Sequence, residues 1–154
     1  MKPAARHFTQ VMALLPQERR TLVLAAAGLF ALWAGLRIWG FARLQARLES
    51  RCSHTSHPVA EYEVRALARL IATAARHAPF PTTCLTRSML LRWMLQRRGL
   101  STDLRIGVRM EEASLRAHAW VELAGVPMNE TPEVTRQFAA FGDLPAAVSA
   151  WQYD

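Results

Sequence analysis

An α+β fold is predicted, with helices in the first two thirds of the chain and a small antiparallel sheet after them. Three observations carry the prediction. Apolar residues recur three and four apart in separate stretches up to Gly99, and beyond Gly99 they alternate with polar ones. Prolines and glycines mark the joins between these stretches. The chain has 154 residues, 51% of them hydrophobic, which suits one domain with a single core. Residues 1–154 are therefore expected to form one domain, with about 1–50 as an N-terminal helical extension.

Taken in order, Phe8, Val11, Met12, Leu14 and Leu15 form a short helix or arm closed by Pro16. Pro16 then opens a long helix through Leu22, Leu29, Trp33 and Leu36 towards Leu48. No residue from Thr21 to Leu36 is charged, and that run is shorter than the roughly 20 residues an untilted membrane-spanning helix needs. A buried core helix is the favoured reading of residues 21–39. Membrane-surface contact, which Trp33, Trp39 and the flanking arginines would suit, and partner binding are the alternatives. Ser50 to Pro58 is a polar loop holding Cys52, His54 and His57, too few ligands on too loose a segment for a zinc site, so no metal and no cofactor are expected. Val59 to His77 is an amphipathic helix with Arg65, Arg69 and Arg76 on its wet side.

The next helix carries the chemistry. Pro79 and Pro81 keep its approach extended, Thr82 or Thr83 caps it, Leu85, Met89 and Trp93 stripe it, and Gly99 ends it. Cys84 falls in its first turn, where unpaired N–H groups and the helix dipole favour the nucleophilic thiolate. Leu104, Ile106, Val108 and Met110 then alternate as a strand, Leu115 to Leu123 is a second, and Val126 to Glu130 a third, with Pro127 favouring an edge position. His118 lies in the second strand on the face of Trp120 and Glu122. A cysteine at a helix start, a strand histidine and an acid or amide on the next strand supply nucleophile, base and orienting group in that order. In the tail, Thr131 is a candidate cap, and Phe138, Phe141, Leu144 and Trp151 are expected to pack back on the core.

The formal charge is +7, with the excess in the first hundred residues and a net acidic remainder. Nearly all the cations are arginines and there is no P-loop lysine, so nucleotide binding of that kind is excluded. Nucleic-acid binding finds no recognition motif. Two cysteines and no signal peptide point to a reducing cytoplasm, with Cys52 and Cys84 as free thiols.

The segments CLTRSMLLRWMLQRRGL, DLRIGVRM and AHAWVELAGVPMNE, in that order, resemble the core of the transglutaminase-like cysteine proteases that mature lasso peptides, the split B2 type of lasso peptide biosynthesis B protein. LPQERRTLVLAAAGLFALWAGLRIWGFARL is similar to the apolar N-terminal helix of the same proteins. The resemblance implies a transglutaminase-like, papain-like core and a cysteine peptidase that removes the leader from a ribosomally made precursor. It also implies a separate leader-recognition protein of the B1 type and a lasso cyclase as partners, with no leader-recognition domain fused to this chain. It puts the nucleophile at Cys84, the base at His118 and the third member at Glu130, where the family usually shows Asp, with Asn129 as the alternative. An acyltransferase of the same superfamily and a non-catalytic, membrane-associated adaptor of the same fold are the competing functions.

The choice between Glu130 and Asn129 depends on the hairpin loop. A two-residue turn at Ala124-Gly125 puts Asn129 on the His118 face; a three-residue loop, Leu123 to Gly125, puts Glu130 opposite His118. The three-residue loop is expected, because the two-residue type I′ turn would need positive φ at Ala124 and because Glu130 takes the acidic position of the family resembled.

Overall fold

The structure, a computed structural model, describes residues 16–49, 59–111 and 114–141. The expected arm before Pro16, the loop holding Cys52, His54 and His57, and the tail positions Leu144 and Trp151 lie outside those residues. Within them the order is α1 (Pro16–Glu49), α2 (Glu61–Arg76), α3 (Cys84–Gln96), β1 (Asp103–Glu111), β2 (Ser114–Leu123), β3 (Val126–Pro127), α4 (Val134–Gln137) and β4 (Ala139–Ala140).

The long first helix does not run straight. Gly40 adopts φ 73° and ψ 171°, a conformation open essentially to glycine alone. Gly35 faces Leu44, whose Cδ1 lies 3.1 Å from where a Cβ on Gly35 would stand, and the Arg47 guanidinium sits 4.5 Å over the Trp39 ring. In an unbroken helix residues nine apart would be about 13 Å apart along the axis. The chain therefore turns back on itself at Gly40, which the helical periodicity did not foretell.

One stripe of α1 before the reversal, Ala25, Leu29 and Leu32, is buried in the core with α2 and α3, and Leu44 joins it from the returning segment. Gly28 lets α1 approach α3 closely, since a Cβ there would fall 2.6 Å from a Leu90 methyl carbon. Val23, Leu24, Phe30, Ile38 and Trp39 are exposed. The favoured reading of α1 as a buried core helix thus holds for a stripe and fails for the rest. By length and composition α1 could cross a membrane, and only 22% of its most apolar window is buried.

α2 buries Val64, Leu67, Ala68, Ile71 and Ala74, one face at helical spacing. α3 runs through the centre, with Ser88, Met89, Leu90, Leu91 and Leu95 buried between the other helices and β2. Its start is held by a capping box: Thr83 Oγ1 accepts from the Thr86 N–H, and the Thr83 N–H donates to Thr86 Oγ1. Its end is closed by Gly99 at φ 79°, with the Leu100 N–H returning to the Leu95 carbonyl.

The sheet is antiparallel in the order β3-β2-β1-β4. Where three strands were expected there are four. β4 pairs with β1 at Gly107 and Val108, and it can do so because Gly107 has no side chain. A Cβ at Gly107 would lie 2.9 Å from Trp120 Cη2 and 3.0 Å from the Ala139 carbonyl oxygen. Both faces of the sheet are covered: Val121 and Met128 join the helical core on one side, and Trp120, Phe138, Val134 and Ala140 cluster on the other. Two-sided cover blurs the alternation in β1. Phe138 packs as expected, whereas Phe141 is exposed. Thr131 is no side-chain cap; its carbonyl accepts the Val134 N–H.

β3 is two residues long, not five, and lies at the sheet edge as Pro127 requires. Leu123 pairs with Val126, so the hairpin loop is the two-residue turn, with Ala124 at φ 51° and Gly125 at φ 79°. The expected three-residue loop is corrected accordingly. Left-handed backbone at a residue with a Cβ costs about 1 kcal/mol, and asparagine tolerates it better than alanine. Ala124→Asn should therefore raise the thermal midpoint by about 2–4 °C, the shift expected of about 1 kcal/mol in a domain of this size. A lowered midpoint would contradict the turn.

Candidate active site

β2 sets out His118, Trp120 and Glu122 on one face, because strand side chains alternate. The face is built from its far end inward. Glu122 is nearly buried, and each of its oxygens has a donor: Trp120 Nε1 at 2.8 Å on Oε1 and Arg105 Nε at 3.0 Å on Oε2. A buried carboxylate with a cation and an N–H donor is satisfied, and it fixes the Trp120 indole. The indole in turn stacks near the His118 ring, at 6.4 Å between centroids and 21° between planes. Phe138 packs against both rings, 5.2 Å from the imidazole and 6.5 Å from the indole, with the Arg109 guanidinium 4.9 Å over its own ring. Sequence reasoning saw that Glu122 shares this face but gave it no task. The signal was there in the spacing of three polar-tipped residues at 118, 120 and 122.

The remaining partner of the imidazole is Glu130, with Oε1 3.0 Å from His118 Nε2; the two side chains are 21% and 30% exposed. A carboxylate only accepts hydrogen bonds, so Nε2 is the donor here, and in the neutral ring that tautomer leaves the lone pair on Nδ1. The ring is thereby oriented to take a proton at Nδ1.

Asn129 goes elsewhere. Its Oδ1 accepts the Val121 N–H at 2.8 Å, and its Nδ2 donates to Ser88 Oγ at 3.0 Å. Ser88, fully buried on α3, donates in turn to the Ala119 carbonyl at 2.9 Å. The Met128 N–H still pairs with the Val121 carbonyl, so the ladder ends when a side-chain oxygen replaces the next backbone acceptor. This explains how a two-residue turn coexists with a His118–Glu130 contact. Extrapolating a regular strand through 126–130 would have turned Asn129 to the histidine, but the strand stops at Pro127 and the bend at 128–130 brings Glu130 to the ring.

Cys84 is half-buried in the first turn of α3, as a free thiol. Ser88 is one turn further along the same side of the helix, and it touches the residue next to His118. Among the described residues no hydrogen bond joins the Cys84 thiol to the His118 ring; such bonds are often long before substrate binds. No three His, Cys, Asp or Glu side chains cluster as a metal ion would require, among the described residues, which leave out Cys52, His54 and His57.

Residues 26–142 match the family model described as the transglutaminase-like superfamily. No match is found among curated proteins or among solved structures.

The Asn129 bridge should show in stability. Asn129→Ala leaves the Val121 N–H without its acceptor and removes the donor from the buried Ser88 oxygen, at a cost of about 2–3 kcal/mol. Glu130→Gln keeps an acceptor at a partly exposed position and should change stability by no more than about 0.5 kcal/mol. Urea unfolding of the two variants checks the contrast, and equal midpoints would remove the structural role from Asn129.

Proposed function

Because the chain belongs to the transglutaminase-like superfamily, and within it to the lasso peptide biosynthesis B2 proteins, we propose that it is the cysteine peptidase that cuts the leader from a ribosomally made lasso precursor. Family membership supports a protease role in peptide maturation. The observation that carries the finer reading is the imidazole held by a carboxylate at Nε2 and by two aromatic rings, on the strand to which the Cys84 helix is hydrogen-bonded.

The chemistry follows from those groups. His118 Nδ1 takes the Cys84 proton, and the thiolate attacks the carbonyl carbon of the last leader residue. The imidazolium so formed is stabilised by the Glu130 carboxylate. N–H groups in the first turn of α3 are the nearest donors for the oxyanion. The tetrahedral intermediate collapses, the C–N bond breaks, and the imidazolium gives its proton to the leaving amine, which becomes the new N-terminus of the core peptide. Water, deprotonated by His118, then attacks the thioester carbon, releasing the leader acid and restoring the thiol. An amine in place of that water would make the protein an acyltransferase, and the released product distinguishes the two: a free leader carboxylate or a leader amide.

A separate leader-binding protein presents the precursor, with the basic helical half of this chain as its docking surface. A lasso cyclase takes up the freed core. The apolar length of α1 also supports an association with membrane surfaces, which vesicle flotation of the full chain tests.

The decisive assay combines the purified chain, a leader-bearing peptide encoded beside its gene and the small leader-binding protein, with cleavage followed by mass spectrometry. Cys84→Ala and His118→Ala should each lose about 10³-fold or more in rate, while Cys52→Ala keeps full activity. Glu130→Gln should lose about 10²-fold or more. Full cleavage by Cys84→Ala overturns the reading. Omitting the leader-binding protein should slow turnover strongly, and an unchanged rate would remove the partner from the scheme.

A further inference from the structure

A groove of about 290 Å³ lies between α2 and the bend at 128–131, lined by Arg65, Ala68, Arg69, Ala72, Asn129 and Glu130 among others. A smaller recess, bordered by Ala68, Ala72, Asn129 and Arg87, continues it towards α3. The two share three of their walls, so they form one channel from Glu130, beside the imidazole, to Arg87, one turn after Cys84. The small side chains of Ala68 and Ala72 leave the room.

The charges in this channel are uneven. Glu130 is engaged by His118, and Arg65 is paired with Glu61 at 2.8 Å. Arg69 and Arg87 have no ion-pair partner among the described residues. Two arginines among the channel's walls therefore carry charge that no described carboxylate offsets, while the one carboxylate among them, Glu130, would push an anion away from the ring and towards them. A guanidinium presents a planar fork that matches a carboxylate.

We propose that this channel is a subsite for an acidic side chain of the peptide substrate, bound by Arg69 and Arg87. It rests on the peptidase reading for the identity of the ligand as the precursor, because the channel opens beside the His118–Glu130 pair where the scissile bond would lie. Binding of the acid there would set which peptide bond reaches Cys84.

The test separates binding from cleavage. Two fluorescein-labelled Gly-Ser decapeptides, one carrying three glutamates and one three glutamines, are titrated with the full chain at physiological salt and read by anisotropy. The glutamate peptide should bind about tenfold more tightly, and Arg69→Glu with Arg87→Glu should abolish the difference. Arg98→Glu with Arg136→Glu, an equal charge reversal at exposed positions outside the channel, should preserve it. Equal affinities for the two peptides, or an equal loss with the Arg98→Glu and Arg136→Glu pair, would overturn the subsite and leave only general attraction to a basic chain. In the cleavage assay, Arg69→Glu should raise KM about tenfold with kcat unchanged, and replacing one acidic residue of the precursor by its amide should mimic the effect. A wild-type chain that binds the glutamate peptide selectively yet cleaves no precursor refutes the peptidase and keeps the anion subsite. A chain that cleaves acidic and amide precursors equally well refutes the subsite and keeps the peptidase.

Discussion

The structure depends on one buried polar junction, Ser88 with Asn129, the Ala119 carbonyl and the Val121 N–H. Three segments far apart in sequence meet there: the helix that begins with Cys84, the strand that carries His118, and the bend that delivers Glu130. Apolar packing between α3 and β2 would hold the layers together but would allow them to slide. Directed hydrogen bonds in a low-dielectric interior fix their register, because losing any one strands a polar group away from water. The junction meets β2 at its backbone edge, through the Ala119 carbonyl and the Val121 N–H; of the two faces of that strand, Val121 belongs to the helical core, and the opposite one, shared by His118 and Trp120, carries the other cluster.

On that opposite side the constraint is steric. Gly107 stands across from His118 in the ladder, and its missing Cβ allows Phe138 and Ala139 to close over the sheet. Phe138 then meets the imidazole edge of the cluster, and Trp120, pinned by Glu122 and Arg105, supplies the other wall. A histidine with two aromatic rings packed against it and one nitrogen committed to a carboxylate has few rotamers left. Such pre-orientation suits the ring to the part of general base in the proposed reaction.

Much of this was legible in the sequence, where local chemistry decided the outcome. The three helices, the threonine cap before Cys84, the edge position of Pro127 and the strand bearing His118 all follow from spacing and from capping or turn residues. What escaped was decided by tertiary contact. Gly40 reads as a weak point in a helix, and only the packing of Leu44 on Gly35 shows that it reverses the chain. β4 is two residues long and exists because Gly107 makes room for it. The hairpin loop was argued from the discomfort of Ala124 at positive φ, a preference of about 1 kcal/mol. Capture of Asn129 by Ser88 and Val121 outweighs a preference of that size, so the turn accepts its strain.

The same junction explains why an amide and a carboxylate stand side by side at 129 and 130, in that order. Position 129 must accept from the Val121 N–H and donate to Ser88, whose own proton is committed to the Ala119 carbonyl. Of an amide and a carboxylate, only the amide offers both; an aspartate there would set an acceptor against the Ser88 lone pairs. Position 130 accepts from His118 Nε2 and, in the proposed reaction, offsets the charge that the imidazole acquires on taking a proton. A glutamine would meet the first demand and not the second. Exchanging the two residues would fail at both places. The hydrogen-bond inventory of each site, not the loop geometry that first seemed to decide the matter, therefore assigns the carboxylate to the histidine.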